Sequence, residues 1–120
     1  MPERIEMPPD VPRELNTIER AVLEGDIMEA IRTIYDPEIP VNIWDLGLIY
    51  DIQIDNDRNV NVVMTLTSPA CPVAESLPGD VQRVVQQVAT VKHATVELTW
   101  DPPFSIDRMS QDVQLMLGLI

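Results

Sequence analysis

The chain has one cysteine, Cys71, and the residue after it is a proline. A thiol acts on metals or electrophiles as its thiolate. The ordinary thiol pKa of ~8.5 falls at a helix N-terminus, where free amides and the positive end of the helix dipole favour negative charge. Pro72 suits a first helical position, and Cys71 follows a strand-like stretch, so its sulfur is expected near such a terminus. Two carboxylates, Asp36 and Glu38, flank Pro37, which restricts the backbone and could fix both toward one point. Hard oxygen ligands accept iron, and a carboxylate beside a thiol can also take its proton. Thr67 could hold the Cys71 loop through its hydroxyl. Each residue also has a plainer reading. A lone cysteine is often a small buried hydrophobe, loop acids are usually solvated, and Thr67 fits a strand. Trp100 is expected to pack the core, and His93 to be a solvated turn residue without a role.

Regular elements must position these groups. A helix is expected over about 26–35: Asp26 and Glu29 have capping-box spacing, and Ile27, Ala30, Ile31 and Ile34 form one apolar stripe. Leu15, Ile18 and Val22 could extend it backwards by a turn or two, with Asn16 or Thr17 as a cap, although Gly25 interrupts. Pro37 and Pro40 stop the helix and make 36–45 a loop, with an edge strand as the alternative. Leu48, Tyr50, Ile52 and Ile54 then alternate as a strand, Asp55 to Asn59 turns, and Val60, Val62, Met64 and Leu66 complete a β-hairpin. Val81, Val84, Val85 and Val88 mark an amphipathic helix, with Pro78-Gly79 as a kink or a fresh start. Val96, Leu98 and Trp100 make a third strand, and Ser110 caps a last helix that Gly118 ends. A strand–helix–strand unit favours a right-handed crossover between parallel strands. The expected fold class is therefore α/β (α+β), a two-layer sandwich in the order α-β-β-α-β-α, with a small mixed sheet and helices on one face. Residues 1–25 read as an acidic, proline-containing arm, partly helical, and 26–120 as the domain.

Composition narrows the classes of function. At 120 residues, 45% hydrophobic and 23% charged, the chain fits one globular domain. No apolar run approaches the ~20 residues of a membrane span, and the first residues are unlike an export signal, so the cytoplasm is expected. One cysteine and one histidine exclude an internal disulfide and a four-ligand Cys/His zinc site in one chain. A net charge of −12 argues against nucleic acid or an anionic membrane as partner. A three-strand sheet and the apolar tail Leu115 to Ile120 lead us to expect a homodimer that covers them.

Four short segments add a resemblance. Asp36-Pro37-Glu38-Ile39-Pro40, Asp45-Leu46-Gly47-Leu48-Ile49-Tyr50, Thr67-Ser68-Pro69-Ala70-Cys71-Pro72 and Trp100-Asp101-Pro102-Pro103-Phe104 occur in that order. Together they resemble the signature of the iron–sulfur cluster assembly domain family, which includes SufT, PaaD of ring-hydroxylating systems and the eukaryotic cytosolic targeting proteins. The likeness covers about 26–120, and the segments from Cys71 to Leu77 and from Met109 to Gly118 look most like stand-alone bacterial SufT. Phe104 stands where many relatives have a second tryptophan.

The resemblance implies that Asp36 and Glu38 are the family's acidic pair, and that Thr67 and Cys71 are its threonine and reactive cysteine. It further implies a non-catalytic factor that assists iron–sulfur protein maturation, between scaffold or assembly proteins and apo client proteins. No stably bound cofactor is expected. Clusters usually take about four protein ligands, so iron or a cluster would meet Cys71 as its metal ligand only transiently. Two other classes stay open. One is an interaction adaptor with a structural cysteine. The other is an enzyme with Cys71 as nucleophile and Asp36 or Glu38 as base.

Overall fold

The computed structural model describes residues 15–37, 39–67 and 76–119. Its elements run α1 (Thr17–Ile31), β1 (Ile49–Ile54), β2 (Asn59–Met64), α2 (Leu77–Gln86), β3 (His93–Leu98) and α3 (Gln111–Met116), with a 3-10 turn at Ile106–Arg108. This is the expected order.

The start of α1 is set by a reciprocal cap. The Asn16 side chain accepts from the Glu19 amide at 2.7 Å, and the Glu19 carboxylate accepts from the Asn16 amide at 3.5 Å. Asn16 and Glu19, rather than Asp26 and Glu29, therefore form the capping box, and the helix runs unbroken through Gly25. A glycine inside a helix costs about 1 kcal/mol. Leu23, Ile27 and Ile31 recur one turn apart on the buried face and contribute roughly 1.5–3 kcal/mol each. Burial outweighs the glycine. The helix also ends at Ile31 instead of near 35. Ile34 is buried from a non-helical position, where its carbonyl accepts from the Ile43 amide at 2.9 Å.

Residues 36–45 form a loop rather than an edge strand: a single antiparallel bridge joins Tyr35 to Asn42. Within the loop region Val41, Ile43, Leu46 and Leu48 are buried, so it is held by its own apolar side chains. Gly47 is indispensable there. Its φ is +81°, and a Cβ at this position would meet the Arg108 carbonyl oxygen at 2.2 Å. Only glycine allows the segment before β1 to lie against the 3-10 turn.

The sheet has the order β1-β2-β3, with β1 and β2 antiparallel and β2 and β3 parallel. Val60, Val62 and Met64 of the central strand are fully or almost fully buried, and Ile54, Ile52 and Ile49 pair opposite them. Strict alternation from Leu48 would have put Tyr50 in that row. A bulge between Ile49 and Asp51 removes it, and the Tyr50 hydroxyl donates to the Pro102 carbonyl at 2.8 Å. The third strand is His93–Leu98, two residues earlier than the alternation suggested, because Ala94 and Val96 supply its core contacts. Trp100 consequently lies beyond the strand and is 46% exposed instead of packing the core.

In α2, Val81 and Val85 are buried while Val84, and Val88 just past the helix, pack partly against the same cluster. Pro78 occupies the first turn, so Pro78-Gly79 open the helix rather than kink it. Ser110 caps α3 by accepting from the Val113 amide at 3.3 Å, and Gly118 follows it at φ +74°. Among the described residues no helix is long and apolar enough to cross a membrane.

Candidate functional site

Strand direction brings the chain around Leu48, Leu66 and Thr99 to one end of the sheet. Ile49 opens β1 opposite Met64, which closes β2, and Met64 lies beside Leu98, which closes β3. The chain therefore enters β1, leaves β2 and leaves β3 at a single end. Backbone hydrogen bonds continue past the strands there: the Thr65 amide donates to the Leu48 carbonyl at 2.8 Å, and the Thr99 amide to the Met64 carbonyl at 2.9 Å.

The loop after α1 is fastened to the same end. Asp45 accepts from the Asn42 side chain at 2.9 Å and pairs with Arg32 at 3.3 Å, while its carbonyl accepts from the Ser110 amide at 2.8 Å. The Arg108 guanidinium lies 4.0 Å from the centre of the Tyr50 ring, a cation–π contact beside the bond to Pro102. Segments distant in sequence thus share one rigid end.

Asp36 is not a solvated loop acid. It is 9% exposed, its carboxylate accepts from the Ile39 amide at 2.9 Å, and its own amide donates to the Val41 carbonyl at 3.0 Å. Side chain and backbone of Asp36 thus tie it to Ile39 and Val41. Glu38 itself lies outside the described residues, as does Cys71. Thr67 stands beyond the end of β2, just past buried Leu66, and is exposed. Among the described residues no hydrogen bond joins it to Asp36. In sequence, 68–75 connect Thr67, just past β2, to Ser76, the residue that precedes α2.

One residue here escaped sequence reasoning. Thr65 is fully buried, and its hydroxyl has no hydrogen-bond partner among the described residues. Period-2 alternation marks Thr65 as the neighbour of core-facing Met64 and Leu66, which suggests an outward hydroxyl. Nothing in the pattern tells that this side of the strand is covered. His93 pairs with Asn59 at the opposite end of the sheet, beside the hairpin turn. Among the described residues no three His, Cys, Asp or Glu side chains gather into a metal site.

A family model described as iron–sulfur cluster assembly protein matches residues 24–98. An Fe-S protein maturation auxiliary factor of Porphyromonas gingivalis is 46% identical over 81% of this chain and 92% of its own length. The Fe-S protein maturation auxiliary factor SufT of Staphylococcus aureus is 33% identical over 72% of this chain and 98% of its own. The crystal structure of a domain of unknown function, DUF59, from Bacillus anthracis superposes with a TM-score of 0.79 at 34% identity. It covers 88% of this chain and all of that domain.

Proposed function

Because the chain belongs to the iron–sulfur cluster assembly protein family, we propose that it is a cytoplasmic accessory factor in iron–sulfur protein maturation, working through the Cys71 thiolate. Its cargo is iron or an iron–sulfur cluster in transit, received from scaffold or assembly proteins and passed to apo clients. Asp36 and Glu38 supply the neighbouring carboxylates, and Thr67 anchors the start of the Cys71 segment. Asp36 accepts from the Ile39 amide, so its carboxylate serves first to hold its own loop.

The observation that supports this reading is the shared sheet end. The chain entering β1 and the chain leaving β2 and β3 are tied together there, where Tyr50 also bonds Pro102, and the chain leaving β2 is the one that leads to Cys71. A carrier must release what it holds. One thiolate per chain, completed by ligands from a scaffold or a client, suits that requirement better than a closed four-ligand site. An enzyme with Cys71 as nucleophile draws less support: Asp36, one of the two carboxylates considered as its base, already accepts from the Ile39 amide, and His93, the one histidine, opens β3 beside the hairpin turn.

The test is Cys71→Ser in the producing organism, with cluster-dependent enzymes assayed and the protein level measured. Their loss at unchanged level is expected, and unaltered activity would refute the role of the thiol. In parallel, protein purified without oxygen should carry iron that depends on Cys71 and that a chelator strips quickly. A chelator-resistant cluster indifferent to Cys71→Ser would overturn the transient-carrier reading.

A further inference from the structure

Each edge of the sheet is capped at the hairpin end. On β3 the outward amide and carbonyl of Ala94 are both occupied from α2: the Ala94 amide donates to Gln86 at 2.9 Å, and its carbonyl accepts from Gln82 at 3.1 Å. Side chains of the crossover helix cap that edge at Ala94. On β1 the cap among the described residues is the Arg20 guanidinium, which donates to the Ile54 carbonyl.

That contact also reveals which groups of β1 point outward. The Asp55 amide donates to the Asn59 carbonyl across the hairpin, so Asp55, Gln53 and Asp51 face β2 with their hydrogen-bonding groups. By alternation Ile52 and Ile54 turn theirs away from the sheet. Arg20 meets the Ile54 carbonyl. The amide and carbonyl of Ile52 open instead onto a groove of about 550 Å³ between α1 and β1.

One face of α1 forms the wall of this groove, with Ala21, Glu24, Gly25 and Met28 at helical spacing. Gly25 and Ala21 keep the wall thin, and a Cβ at Gly25 would have nothing within 4 Å. Ile49 and Ile52 give the floor, and Trp44 closes one end. Among the described residues the charged ones lining it are Glu24 and Asp51, both exposed carboxylates, and none is basic.

We infer that this groove binds an extended segment of a partner protein, which adds to β1 as a further strand and carries basic residues between apolar ones. The strand edge supplies main-chain bonds at Ile52. The apolar floor takes alternate side chains, and Glu24 with Asp51 takes the basic ones. A chain of net charge −12 would moreover attract such a segment over a distance. The site is separate from the role proposed for Cys71, so either can fail alone.

The probe is a short synthetic peptide alternating lysine and valine, titrated into the full chain and followed through backbone amide resonances. The amides of β1 should shift, and that of Ile52 should become protected from solvent exchange. The same peptide N-methylated at every second residue cannot complete the strand pairing and should bind at least tenfold more weakly. Gly25→Leu fills the groove without touching the core and replaces a poor helix former, so the variant should fold and lose at least tenfold in affinity. Charge reversal at Glu24 and Asp51 should weaken binding by a similar factor and reduce its dependence on salt, while Cys71→Ser should leave it unchanged. Equal binding of a glutamate–valine peptide, shifts that spare β1, or no binding would overturn the proposal. So would self-association by sedimentation, without peptide, that Gly25→Leu removes: the groove would then serve a second copy of the chain.

Discussion

Replacing Gly47 with alanine separates two costs that other glycines of the chain carry singly or not at all. At φ +81° any residue with a Cβ is strained by about 1–2 kcal/mol. The added carbon would also lie 2.2 Å from the Arg108 carbonyl oxygen and 2.6 Å from its carbon, and these are backbone atoms with no rotamer to escape into. The 3-10 turn must move, which disturbs the Arg108–Tyr50 contact and the bond from the Ser110 amide to Asp45. Losing or bending such contacts adds about 1–2 kcal/mol. The sum is about 3 kcal/mol, which lowers the midpoint of thermal unfolding by roughly 12 °C for a chain of 120 residues. Gly118→Ala is the comparison: φ is +74° but nothing lies within 4 Å, so it should cost only the strain. Gly79→Ala has neither penalty and should be neutral or slightly stabilising. Thermal melts followed by circular dichroism give all three values. If Gly47→Ala costs no more than Gly118→Ala, the close approach of the two segments is wrong.

Asn16→Ala removes the α1 cap and should cost about 1 kcal/mol by urea denaturation. Thr65→Val replaces a buried, unpartnered hydroxyl with a methyl group and should gain about 1 kcal/mol; a loss would mean the hydroxyl has a partner. Asp55 accepts from the Asn59 side chain and from the Asn59 and Asp57 amides, with Lys92 nearby, and these hold its carboxyl below the ordinary range against a small opposing effect of burial. A lowered folded pKa stabilises the protein above the ordinary carboxylate pKa of about 4, and the gain is lost as pH falls through the folded value. The urea midpoint of Asp55→Asn should therefore lie below that of the parent near neutral pH and meet it in strong acid. A constant gap across pH would contradict this.

Local chemistry was legible wherever one residue decides the outcome. The hairpin follows from alternation on both sides of Asp55 to Asn59, and Ser110 and Gly118 mark α3. Errors arose where a distant contact decided. Gly25 looked like a break until Leu23, Ile27 and Ile31 were seen to be buried together. The bulge at Tyr50 and the earlier start of β3 depend on which residues lie opposite in β2, and a strand's own sequence does not state its register. At the site, the motifs named the segments but did not state which strand ends bring them together. That Asp36 is buried and bonded, and that Gly47 touches Arg108, required the packed chain.

Since the converging segments all lie beyond one end of the sheet, the hairpin turn is a remote vantage point on them. A strand of six residues spans about 20 Å. The side chain of Asp57 is exposed at the far end. A fluorescent reporter attached there would stand clear of the Asp36 loop and of the chain that flanks Cys71. It would still be near enough for energy transfer to a chromophore or metal brought to the other end. Arrival and departure of cargo could then be timed in the unaltered site, from a place where the protein has nothing to lose.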